Sequence, residues 1–170
     1  MTKPLPRIAT ISRLGPTVLG VMWRDGPSDR VNLTGWIATG GEVLAPLKDA
    51  AVFATARLGD HGASVEWGDE DGDLAIDAHH LRLLADEQRR FGHEEAAAWQ
   101  AAAGLSNQEA ADFLGISLST WNAYKAGANT VPASVSMSCR AALRDPILLQ
   151  AHYRPRKAGR PPRVSRVGAA

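Results

Sequence analysis

Residues 105–127, LSNQEAADFLGISLSTWNAYKAG, constrain this chain more than any other stretch, because they spell two short helices and the corner between them. Ser106 and Glu109 have capping-box spacing, in which the hydroxyl accepts from the N3 amide while the carboxylate reaches back to the cap amide. The spacing predicts a helix starting at Asn107. Ala110, Phe113 and Leu114 supply its inward face, and small Ala111 lets a second helix cross closely. Gly115 stops the helix where a left-handed residue costs least, Ile116 plugs the corner, and Ser117 caps a second helix over 118–126. Trp121 and Tyr124 give that helix a buried stripe, and Gly127 ends it.

Two helices this short cannot bury a sufficient core alone, so the flanks must complete a bundle. Residues 93–103 have Glu94 and Glu95 in the first turn and Ala96, Trp99 and Ala103 along one face, a helix with its dipole complemented. Pro132 suits the first position of a fourth helix running to about residue 143, with Val135, Cys139 and Ala142 inward. Asp145 and Pro146 supply a cap and a first-turn proline for a fifth, 147–153. The expectation is an all-α unit of five short helices over 91–153.

The pattern resembles the lambda-repressor and Cro-like family, with Ala111, Gly115, Ile116 and Trp121 at its small, turn and core positions. The resemblance implies a helix-turn-helix whose second helix enters the DNA major groove. A capped corner used only for packing is the alternative. In the DNA-binding reading, Leu118, Ser119, Asn122 and Ala123 face outward from the recognition helix. Asn122 can pair bidentately with an adenine edge, Ser119 can bond a base or a phosphate, and Leu118 can touch a thymine methyl. Leu118 and Ala123 stand where the family most often has polar residues. Asn107, where the family commonly has glutamine, can donate to a phosphate, as can Lys125, Asn129 and Thr130.

Charge supplies a second line of argument, although the net charge of +1 hides it. Residues 1–90 hold 10 Lys and Arg against 13 Asp and Glu, residues 91–153 hold 3 against 5, and residues 154–170 hold 6 against none. An acidic body carrying a basic tail points to an acidic polymer as partner, nucleic acid first and a membrane surface second, and with the helix-turn-helix resemblance the expected partner is double-stranded DNA. The tail cations Arg154, Arg156, Lys157, Arg160, Arg163 and Arg166 sit in a Pro- and Gly-rich, flexible context that can track a phosphate backbone. Gly159-Arg160-Pro161, flanked by Arg156, Lys157 and Arg163, resembles an AT-hook, whose arginine enters a narrow A·T minor groove. A generic basic tail is the alternative.

The first ninety residues read as a small sheet-rich domain with a linker helix. Residues 18–24 form a strand, Asp25-Gly26-Pro27-Ser28 a turn, and residues 30–33 its partner. A second hairpin joins 64–67 to 74–76 through the acidic loop 68–73. Residues 48–55 suit a short helix, and Asp77 caps another that carries Leu81, Leu84 and Ala85 on one face and stops near Gly92. The strand 18–23, Val31-Asn32-Leu33 and residues 42–49 resemble the bacterial domain of unknown function 2442, which in some members precedes a Cro-like domain. Members are often encoded beside toxin-like genes. That resemblance implies an antitoxin-like or autoregulatory role, and it carries no site residues with it.

Other chemistries find little support in the sequence. The acidic loop lacks the spacing of a calcium loop, and adjacent His79 and His80 project in different directions on a helix. Ser12, Ser28 and Ser64 lie in polar or turn-like contexts without a nucleophile elbow, and the glycine pair at 40 and 41 stands outside any phosphate loop. The single cysteine, Cys139, suits a small buried thiol. No apolar run approaches the roughly 20 residues that span a bilayer. The composition, 45% hydrophobic and 22% charged, fits a soluble globular protein. These observations lead to an α+β chain: a non-enzymatic, cytoplasmic, homodimeric DNA-binding transcriptional regulator without metal or cofactor. The alternative is an antitoxin-like or adaptor protein that docks a protein partner through its first domain.

Overall fold

The computed structural model describes residues 4–69, 72 and 74–156. The chain divides into two compact units, Met1–Arg90 and Phe91–Ala170. The first is mixed α and β. Strands β1 (Ile8–Gly15), β2 (Val18–Trp23) and β3 (Ser28–Asn32) form an antiparallel sheet in the order β1-β2-β3. Helices α1 (Thr34–Thr39), α2 (Gly41–Leu44) and α3 (Ala50–Phe53) follow. A second antiparallel sheet holds β4 (Arg57–Leu58), β5 (Ser64–Glu66) and β6 (Ala75–Asp77), and α4 (Ala78–Gln88) closes the unit.

The two expected hairpins are present, but β1, β4, α1 and α2 were not anticipated, so the unit is less purely sheet-rich than its sequence suggested. β1 escaped because its pairing shifts register between Ile8 and Thr10. The irregularity changes which face each side chain takes, so buried Ile8 and half-buried Ile11 stand three apart and break a period of two. Ser12 therefore belongs to a strand and not to a turn. α1 and α2 are too short to display a helical period.

Ile8, Leu19, Val31, Phe53, Val65, Trp67 and Leu81 are fully buried in the core of this unit. The Trp67 indole nitrogen donates to the Phe53 carbonyl at 3.1 Å, which satisfies a polar atom that would otherwise be costly to bury. Gly62, at φ +70°, passes so close to β1 that a Cβ would overlap the Ile8 carbonyl oxygen. Asp77 caps α4 by accepting from His80 N at 2.8 Å, as its sequence position implied. The helix ends at Gln88, short of Gly92, because tertiary contacts take over. The Gln88 amide accepts from Asn32 N and donates to Asn32 O, both at 2.8 Å, which extends β3 by side-chain pairing. Arg89 turns extended and grips Asp29 with two bonds, 2.8 and 2.7 Å. That guanidinium holds the Asp29 carboxyl below the usual carboxylate range, against the opposite pull of burial.

The second unit contains α5 (His93–Ala103), α6 (Asn107–Leu114), α7 (Leu118–Lys125), α8 (Ala133–Arg144) and α9 (Pro146–His152). Pro132 is the N-cap of α8 and not its first helical residue. Ala96, Trp99, Ala110, Ala111, Trp121, Val135 and Cys139 lie in one buried cluster. Trp99 meets Trp121 edge-on, with ring centroids 5.6 Å apart, and Phe113 at 6.0 Å. Burial pushes the Cys139 thiol up to about 12, so it stays protonated at neutral pH. His79 and His80 lie exposed in the first turn of α4. Among the described residues no three potential ligands cluster for a metal, and no helix is long and apolar enough to cross a membrane.

Candidate nucleic-acid interface

The corner between α6 and α7 is closed by local hydrogen bonds. Ser106 Oγ accepts from Glu109 N at 3.3 Å, and Glu109 Oε2 accepts from Ser106 N at 2.9 Å. At the other end Gly115 takes φ +67°, its amide donating to the Asp112 carbonyl while Ile116 N donates to the Ala111 carbonyl. This is a Schellman stop, and it ends α6 where a side chain would be strained. Ser117 Oγ then accepts from Thr120 N at 3.1 Å, starting α7 at once. Trp121 is fully buried and Tyr124 nearly so, which fixes how α7 is rotated about its own axis.

That rotation leaves Ser119 and Asn122 exposed and Leu118 37% exposed, while Ala123 is half-buried. The Asn122 carboxamide meets no side-chain or backbone partner among the described residues. The Ser119 hydroxyl is shared with the cap, 2.9 Å from Ser117 Oγ. Asn129 and Thr130 are exposed in the loop after Gly127. Lys125 and Asn107, far apart in sequence, meet: Lys125 Nζ donates to Asn107 Oδ1 at 2.8 Å. Arg156 does not join them. Its guanidinium pairs with Asp112 on α6, at 2.8 and 3.2 Å, so the three residues after Tyr153 are not a free tail. Lys157, Arg160 and Arg163 lie outside the described residues.

Two contributors escaped the sequence reading. Gln100 on α5 joins three helices: Nε2 donates to the Leu105 carbonyl and to Asn107 Oδ1, both at 2.9 Å, while Oε1 accepts from Trp121 Nε1 at 2.9 Å and Lys125 Nζ at 2.8 Å. Its signal was present, since it is the one polar side chain between Glu95 and Ser106. Tyr153 is the other. Its hydroxyl donates to Glu109 Oε1 at 2.9 Å, and Arg156 N donates to the same oxygen at 3.0 Å, strapping the chain after α9 onto α6.

The donors around Glu109, the Ser106 amide foremost, hold its carboxyl at about 2 against an ordinary 4.5. A carboxyl whose folded value lies below its unfolded one contributes stability above the unfolded value and surrenders it as pH falls through the folded value. Acid is therefore expected to loosen the cap and strap as pH drops from 4.5 toward 2. Thermal unfolding followed across that window should show the decline, and Glu109→Gln, which cannot titrate, should flatten it.

No protein-family model matches the chain, and no curated protein does. Among solved structures, the crystal structure of a candidate DNA-binding protein, NE0471 from Nitrosomonas europaea, is similar at 24% identity and a TM-score of 0.46. The match covers 92% of this chain and 98% of that one.

Proposed function

We propose that this chain is a double-stranded DNA-binding protein, a bacterial transcriptional regulator with a Cro-like helix-turn-helix in residues 91–153 and α7 as recognition helix. The observation that carries the reading is the exposure of Asn122, with no side-chain or backbone partner among the described residues, on a helix whose rotation is set by buried Trp121 and Tyr124. An asparagine so placed matches the donor and acceptor edge of adenine. Leu118 and Ser119 flank it, and Asn107, Lys125, Asn129 and Thr130 are phosphate contacts. The basic run from Lys157 supplies the charge that residues 91–153, net negative, lack. The protein acts as a homodimer, because a single unit reads few base pairs while a two-fold pair places two recognition helices about 34 Å apart on one face of the duplex.

Anisotropy titration on duplex fragments at several salt concentrations tests the reading. Salt-sensitive binding is expected, and Asn122→Ala should cost about 1–3 kcal/mol of discrimination at one base pair. Equal loss across all sequences would make Asn122 a backbone contact instead. A second reading, an antitoxin-like or adaptor protein, is favoured by the exposed apolar residues Met137, Leu143 and Ile147 on α8 and α9. In that reading the first unit or this face docks a toxin-like protein, and full-length protein shows no DNA affinity even at low salt.

A further inference from the structure

We propose that Gln100 is a positioning residue for phosphate recognition: it sets the Asn107 amide with its nitrogen outward beside the Lys125 ammonium, an inference that rests on the DNA-binding reading. The orientation follows from groups that have no choice. The Leu105 carbonyl can only accept, so the Gln100 nitrogen must face it, at 2.9 Å. The Trp121 indole N–H can only donate, so the Gln100 oxygen must face that, also at 2.9 Å. With both ends of Gln100 assigned, its second N–H points at Asn107 Oδ1, 2.9 Å away, and the Lys125 ammonium reaches the same oxygen at 2.8 Å.

Two donors on one side decide which end of Asn107 faces inward. Its nitrogen, on an exposed residue, meets no acceptor among the described residues, so Asn107 presents two N–H groups. A phosphate oxygen accepts only, and it fits that display. Lys125 adds charge at the same place: its ammonium spends two donors on Gln100 Oε1 and Asn107 Oδ1, each at 2.8 Å, and keeps a third without a partner among the described residues. Gln100 itself need not touch the nucleic acid. It acts through Asn107 and Lys125.

Full-length wild type, Gln100→Glu, Gln100→Met and Asn107→Asp, titrated against one duplex over a salt series with thermal unfolding of each, form the test. In Gln100→Glu the carboxylate still accepts from Trp121 and Lys125 but donates nothing, so Asn107 loses one of the two donors that hold its oxygen inward and its display is no longer set. Gln100→Met removes the setting without adding charge. Asn107→Asp keeps both inward bonds and shows an oxygen outward, so it tests the display even where a Gln100 variant folds badly. All three are expected to bind about tenfold or more weakly at low salt. Gln100→Glu and Asn107→Asp, which each add a negative charge beside Lys125, should also lower the slope of log K against log salt, whereas Gln100→Met, which changes no charge, should leave it near the wild-type value. Unchanged binding by Gln100→Met or Asn107→Asp, or weaker binding that only follows lost thermal stability, overturns the proposal and leaves Gln100 a purely structural residue. A wild-type chain that binds no duplex at low salt overturns the DNA-binding reading, and this inference with it.

Discussion

Trp121→Ala is expected to remove about 3–5 kcal/mol from the stability of the helical unit, the cost of truncating a fully buried tryptophan. Trp121 is 0% exposed, packs edge-on against Trp99 and donates to Gln100. The substitution therefore opens a cavity between α5 and α7 and leaves Gln100 Oε1 with Lys125 as its one remaining partner among the described residues. A unit this small holds only about 5 kcal/mol, near the low end for domains, so the loss takes most of it. Trp121→Phe keeps most of the ring and should cost nearer the loss of one hydrogen bond, about 1 kcal/mol, plus a smaller void. Denaturant unfolding followed by circular dichroism gives both values. An alanine variant within 1 kcal/mol of wild type, about a quarter of the expected loss, would mean that the corner is held by its caps and not by this ring.

On the proposed DNA-binding reading, truncation after Arg156 is expected to leave the five helices folded and to remove most of the salt dependence of binding. The cut keeps Tyr153 and Arg156 on Glu109 and Asp112, and it removes Lys157, Arg160, Arg163 and Arg166. Each phosphate a cation neutralises contributes about 0.9 to the slope of log K against log salt. If all four engage, the slope falls by about 3.6, and the full chain loses roughly a hundredfold more affinity than the truncated one between 50 and 200 mM salt. Cutting instead after Tyr153 also takes away the Arg156 bonds to α6, so it confounds lost charge with a loosened strap. Equal slopes for the full and truncated chains would exclude the tail from the complex.

Much of the helical unit could be read directly, and the reason is local. The Ser106 and Glu109 box, the Ser117 cap and the Asp145 cap each close within three residues. The glycine stops at 115 and 127 close within five. Interactions of that span need no knowledge of the rest of the chain. β1 and the short helices α1 and α2 lay beyond such reading, since a register shift scrambles the alternation in one and too few residues report a period in the others. The early end of α4 was equally hidden, because it is decided by Asn32 and Asp29, dozens of residues away.

The candidate interface divides in the same way. Amino-acid order alone determined where α6 and α7 begin and end and that Trp121 and Tyr124 point inward, because backbone capping and apolar spacing act over a few residues. Tertiary structure alone decided that Asn107 and Lys125 meet at Gln100 and that Arg156 pairs with Asp112. Side-chain amides and guanidinium groups choose partners by distance and donor direction, and those exist only once separate helices have packed.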